Sequence, residues 1–230
     1  MLSVLDNLIH FFGSGLCHQF PERSYEFGGI LWPVCARCTG MYLGIVFALA
    51  ALFLLYRGKQ RRGDLFWPYW ILLGLALAAM AYDGFSSYLS FRETTNLLRL
   101  ITGTAVGVSV APLLYVLLID TLARSSVDEK AMGGGVRPWT YLLASALLVG
   151  TFVYAAGPLI GPLGAIITAL SIWVTFTAVI LLLVGLVRPF ERSVSSWRDL
   201  LLPGAISAMI SLMLILALAM LKVLLLGSYY

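Results

Sequence analysis

The sequence predicts an all-α membrane protein: a polytopic bundle of about six transmembrane helices preceded by an irregular N-terminal segment. Three observations carry this. Of 230 residues, 60% are hydrophobic and only 11% are charged, whereas soluble domains carry about 25% charged residues. Mean hydropathy is +0.94. Six stretches approach the roughly 20 mostly apolar residues that a bilayer core requires. Soluble, disordered and collagen-like chains are excluded.

The spans run from about Gly40 to Tyr56, Leu65 to Tyr82, Leu97 to Leu122, Trp139 to Ala156, Ala165 to Val187 and Leu200 to Leu226. The chain therefore divides into an extracytoplasmic segment (residues 1–39), three helices bearing polar residues (40–122) and three further helices (123–230). In the first part Gly13, Gly15, Pro21, Gly28, Gly29 and Pro33 argue for irregular backbone, with one short amphipathic helix from Val4 to Phe12. Met1 to Leu16 has no basic start and contains Asp6, so it does not read as a signal peptide.

Loop charge sets the orientation. Ten basic residues fall on one side: Arg57, Lys59, Arg61 and Arg62, then Arg124, Lys130 and Arg137, then Arg188, Arg192 and Arg198. The other side holds Arg23, Arg37 and Arg92 and the uncharged turn from Gly157 to Pro162. By the positive-inside bias the richer side is cytoplasmic, and both termini face outward in a multi-pass cell-membrane protein. Trp67, Trp70, Trp139 and Trp197 fall at the inner interface, and Lys222 is placed to snorkel to the outer headgroups. The basic residues form no continuous face, which excludes nucleic-acid binding. Gly40/Gly44 and Gly103/Gly107 mark small-residue faces for close helix contact, within the chain or with a second copy. Thr168, Ser171 and Thr175 read as interhelical hydrogen-bonding groups, and Asp120 as a solvated helix end.

The chain has three cysteines, all between positions 17 and 38. Cys35-x-x-Cys38-x-Gly40 has the form of a metal knuckle, with the glycine letting the backbone turn back toward the sulfurs. Tetrahedral zinc wants four N/S ligands. Cys17 and His18 complete a Cys₃His set, with His10, seven residues from Cys17, as the alternative imidazole. Three other readings stay open: a disulfide that leaves one thiol free, a redox-active Cys35/Cys38 dithiol resolved by Cys17, and unligated core residues.

At these residues the chain resembles a known family. Cys17-His18-Gln19, Arg23-Ser24 and Pro33-Val-Cys35-Ala-Arg37-Cys38-Thr39-Gly40-x-Tyr42-x-Gly44 are similar to an uncharacterised prokaryotic integral-membrane family of unknown function. The likeness continues through Asp83-Gly84 and Asn96-x-x-Arg99-x-x-Thr102-Gly103, roughly the first half of the chain. It implies that these residues form one unit, and it brings no activity with it.

Polar residues surround the cysteines. Asp83 ends the second span; Arg92, Glu93 and Asn96 follow in the loop, and Asn96, Arg99 and Thr102 share one helical face. A charge inside a span commonly pairs with another or faces a polar cavity. Arg99 is thus expected either to pair with Asp83 or Glu93, or to join Arg23, Arg37, Arg92 and Asn96 around an anion. The leading functional reading is a zinc-assisted enzyme acting on a lipid-linked or otherwise anionic, phosphate-bearing substrate, with Asp83 or a free His18 as the acid–base group. A thiol-redox protein is the first alternative. The second is a transporter, or a lipid-binding protein whose metal knuckle is structural.

Overall fold

Gly28 and Gly29 both take left-handed backbone, at φ +64° and +73°. Two such residues in succession make the tight turn that joins antiparallel strands. In the computed structural model they link β1 (Ser24–Phe27) to β2 (Ile30–Cys35), with Phe27 opposite Ile30 and Glu26 opposite Leu31. The register then slips before Ser24 meets Cys35. Pro33, which has no N–H to give to the ladder, sits in that irregularity. The N-terminal segment is therefore not irregular as expected. It comprises α1 (Leu2–Ser14), a 3₁₀ turn (Pro21–Arg23) and this hairpin. Trp32 and Val34 are fully buried, so period-2 alternation outweighs the Gly/Pro density that suggested loop. The structure describes residues 2–56, 61–63, 65–89, 91–124, 127–130, 136–196 and 198–226. Arg57, Lys59 and Trp197 lie outside them.

Among the described residues six helices are long and apolar enough to span a bilayer. They are α2 (Ala36–Leu55), α3 (Trp67–Tyr88), α4 (Asn96–Leu122), a composite rod Arg137–Ile160, α7 (Pro162–Gly185) and α8 (Leu201–Leu226). The rod joins α5 (Arg137–Thr151) to α6 (Gly157–Ile160) through a π-helical turn at Phe152–Ala156. Helix therefore runs into the expected Gly157–Pro162 turn, and the chain reverses at Gly161, φ +44°. α3 extends to Tyr88, which puts Asp83 inside the helix and not at its end.

The tightest seam joins α2 to α4. Added methyl groups on Gly40 and Gly44 would press on Leu100 and Thr104 of α4; on Gly103 and Gly107 they would overlap the backbone of Arg37 and Met41. The small-residue faces are thus consumed inside the chain, which corrects their expected use by a second copy. Below this seam Leu49, Leu52, Tyr69, Tyr115 and Leu118 form the main core. Thr168, Ser171 and Thr175 hydrogen-bond carbonyls of their own helix, at Gly164, Thr168 and Ser171, and so do not bridge helices as expected. The α7–α8 bridges are instead Thr177 to Ser211 at 2.8 Å and the Trp173 indole to the Ala208 carbonyl at 3.0 Å.

The three basic loops gather at one end of the bundle. A short strand, β3 (Arg61–Gly63), pairs with β4 (Val127–Lys130). The Arg124 amide donates to the Val194 carbonyl, and Asp120 lies 3.8 Å from Arg192. α2 starts at the opposite end, beside the cysteines.

Gly107→Val should lower the melting temperature in detergent sharply, because the obstacle is the Met41 backbone; overpacking of this kind costs about 1–3 kcal/mol. Gly74, with open space around it, is the control: Gly74→Ala should be neutral or stabilise by up to about 1 kcal/mol.

Candidate functional site

Cys35 closes β2 and is the N-cap of α2, and Cys38 follows in the first helical turn. Cys17 lies just after α1, where the Leu16 and Cys17 amides fold back onto the Gly13 carbonyl. Gln19 fixes that loop. Its backbone is left-handed (φ +57°), and its side-chain amide donates to the His10 and Pro33 carbonyls at 2.7 Å each. The three sulfurs converge within 4.8 Å of one another. All three are free thiols in this structure. Sulfurs around a tetrahedral zinc, at about 2.3 Å from the metal, lie about 3.8 Å apart. The cluster is therefore close enough to bind one metal ion.

Its electrostatics favour one thiolate, at Cys17. Cys17 is held far below the ordinary thiol range, first by the Cys35 and Cys38 thiols that donate to it and also by the Cys35 amide at 3.4 Å. The same contact pushes Cys35 up, because it holds a proton against Cys17. The positive N-terminal end of α2 adds to the stabilisation of negative sulfur.

Neither imidazole joins the sulfurs. His18, the expected fourth ligand, is exposed and stacks on Phe20 at 5.8 Å between ring centroids. His10 is buried between α1 and its neighbours, and burial pushes its imidazole down, toward the neutral form. Gly40, read as part of the knuckle, instead packs against α4. Lys222 does not reach outward to headgroups; its ammonium donates to the Cys17 carbonyl at 3.3 Å.

Next to the sulfurs lies a cavity of about 200 Å³, lined by all three cysteines and by Arg23, Arg37 and Arg99. Asp83 is 3% exposed and is bound by Arg37 through Nε at 3.0 Å and through Nη2; the Thr102 hydroxyl lies 3.4 Å away. Asp83 does not line the cavity; it stands behind Arg37. Arg99, expected either to pair with Asp83 or Glu93 or to help hold an anion, makes no ion pair with either carboxylate. It is 7% exposed and donates to Asn96 Oδ1 at 3.1 Å and Ser87 Oγ at 3.3 Å. Among the described residues no carboxylate lies within 4.0 Å of it. Arg23 is partly exposed, 5.1 Å above the Phe20 ring. Asn96 also faces the hairpin, its amide 3.4 Å from the Glu22 and Ser24 carbonyls. Arg92 is exposed in the α3–α4 loop and does not line the cavity. The sequence reading missed Gln19 and Ser87 as supports; Gln19 carried a signal, a polar residue in a Gly/Pro-rich loop directly after Cys17-His18.

The model of a family described as predicted membrane protein (DUF2085) matches residues 17–113. An uncharacterized protein of Methanothermobacter thermautotrophicus is 37% identical over 106 residues, which are 44% of this chain and 86% of the relative. The chain belongs to the DUF2085 family. An uncharacterized protein of Methanocaldococcus jannaschii is 37% identical over 95 residues, 41% of this chain and 58% of the relative. No solved structure matches. The DUF2085 region begins at Cys17 and runs into α4, so it holds the sulfurs, the cavity arginines and the α2–α4 seam, while α5 to α8 lie outside it.

Arg37→Met should be the costliest change at the site, because it strands the buried Asp83; breaking such a pair costs about 3–5 kcal/mol. Arg37→Met with Asp83→Leu should recover much of the loss, read as melting temperature in detergent.

Proposed function

We propose that this DUF2085 protein is a zinc-thiolate membrane protein whose metal faces an anion-binding cavity, where it assists chemistry on a phosphate-bearing substrate, lipid-linked or soluble. One observation carries the reading: Arg99 is buried with no carboxylate within 4.0 Å among the described residues, in the same cavity as the three sulfurs. A buried guanidinium is costly without a counter-charge, and guanidinium groups bind phosphate through paired hydrogen bonds.

The donor set fits zinc. Three thiolates leave one of four tetrahedral positions for an exchangeable ligand, as in catalytic and not closed structural sites. A zinc ion bound there supplies Lewis acidity or an activated water. Arg23, Arg37 and Arg99 hold the anion. His18, at the cavity wall and unhindered by the sulfurs, carries a proton to or from the substrate. Asp83 and Asn96 are positioning residues: they fix Arg37 and Arg99 respectively. The redox alternative draws on the placement of Cys17 against both other thiols, the arrangement of a resolving cysteine.

Protein purified from membranes without chelator should contain about one zinc per chain by plasma mass spectrometry, as a single three-sulfur site requires. Cys38→Ser should remove most of it. Absence of stoichiometric metal together with a reversible thiol titration would replace this reading with the redox one. The site is also proposed to face outward. Glu22→Cys should react with an impermeant maleimide on intact cells, above the background of native thiols, and Glu191→Cys only after permeabilisation. The reverse pattern would place the sulfurs on the cytoplasmic side.

A further inference from the structure

On α3, Leu77, Met80, Ala81, Gly84, Phe85 and Tyr88 recur every three or four residues and so fall on one face. Ala81 and Gly84 are too small to fill that face, and the larger side chains stand around them. The result is an open groove of about 590 Å³, within the range of about 300–1,000 Å³ typical of ligand sites. Its walls are apolar and exposed on a membrane-spanning helix: Phe85 is 70% and Tyr88 75% exposed.

The polar end of the groove is Arg37. Its Nη1 lies 3.8 Å from where a side chain on Gly84 would begin. Arg37 and Tyr88 line both the groove and the sulfur–arginine cavity, so the two spaces adjoin. The cavity, at about 200 Å³, has room for about six or seven waters at about 30 Å³ each, a headgroup and no more. A substrate held there by its phosphate must place its remaining bulk outside the cavity, and the groove is apolar where that bulk would lie.

We propose that the α3 groove docks the hydrocarbon chain of a phosphate-bearing lipid that enters sideways from the bilayer, with its phosphate in the cavity among Arg23, Arg37 and Arg99. This rests on the anion-site reading of the cavity. Charge decides the occupant. The groove ends at Arg37, and the adjoining cavity adds Arg23 and Arg99, which together complement an anionic headgroup. A second copy of the chain laid symmetrically along α3 would bring its own guanidinium groups toward them.

The test measures binding of 1-oleoyl-lysophosphatidic acid and of inorganic phosphate to the full-length protein in detergent micelles, with oleoyl-lysophosphatidylcholine as comparator. The lysophosphatidic acid should bind at least about tenfold tighter than inorganic phosphate, and tighter than the choline lipid. Ala81→Trp fills the groove; it should weaken lysophosphatidic acid by about tenfold or more and leave inorganic phosphate unchanged. Arg99→Gln should weaken both. Arg23→Gln, at a partly exposed residue, should do the same if the Arg99 variant fails to fold. Unchanged lipid binding in Ala81→Trp, or equal affinity for lipid and free phosphate, overturns the groove assignment and leaves the cavity reading standing. A dimer that Ala81→Trp dissociates without affecting lipid binding assigns the groove to a second copy and equally overturns it. No loss of either ligand in both arginine variants refutes the cavity reading itself.

Discussion

The site exists because α2 and α4 approach until their backbones touch. Gly40, Gly44, Gly103 and Gly107 bring the helices together mostly through main-chain atoms, with the Thr104 hydroxyl beside Gly40 as the side-chain contact. In lipid, where burial of apolar surface between helices gains little, such contact is a principal source of packing energy. It also fixes register. With Gly103 against Arg37, the first turn of α2, which carries Cys38 and caps at Cys35, is level with the first two turns of α4, which carry Arg99 and Thr102. Sulfur and guanidinium become neighbours through a constraint that contains neither.

That adjacency has an electrostatic logic. Clustered thiols are hard to ionise together, and clustered guanidinium groups repel. Set side by side, each lowers the cost of the other. Asp83 binds Arg37 directly and Glu22 lies 3.9 Å from Arg23, so the positive charge left over in the cavity, wherever the sulfurs remain protonated, is chiefly that of Arg99. Three thiolates around a dication would carry one net negative charge, which balances part of that excess and leaves the rest for a bound anion.

Much of this was legible in the residues. The six spans follow from hydropathy, and their ends shift by a few residues because helix continues past the apolar core wherever capping allows, as α3 does to Tyr88. The grouping of the cysteines gave the cluster, and the glycine pairs gave the seam. The hairpin was obscured because Gly28-Gly29 and Pro33 read as loop; the alternation of Tyr25 and Phe27 with Ile30, Trp32 and Val34 was the counter-signal. Which carboxylate meets which arginine could not be read. Asp83 is 46 residues from Arg37, and only the α2–α4 seam, with α3 packed beside it, decides that Arg37 takes it and Arg99 does not. His18 failed as a ligand for a local reason. Adjacent residues point apart, and the left-handed turn at Gln19 commits Cys17 to the interior and His18 to the surface.

Arg37 is a party wall. One face of its side chain belongs to the cavity and another to the α3 groove, and its charge is anchored to a single carboxylate. A molecule that repositions this guanidinium from one side alters the space on the other. Thermodynamics then obliges the influence to run equally in both directions: whatever factor occupancy of the first compartment applies to affinity in the second, the second returns to the first.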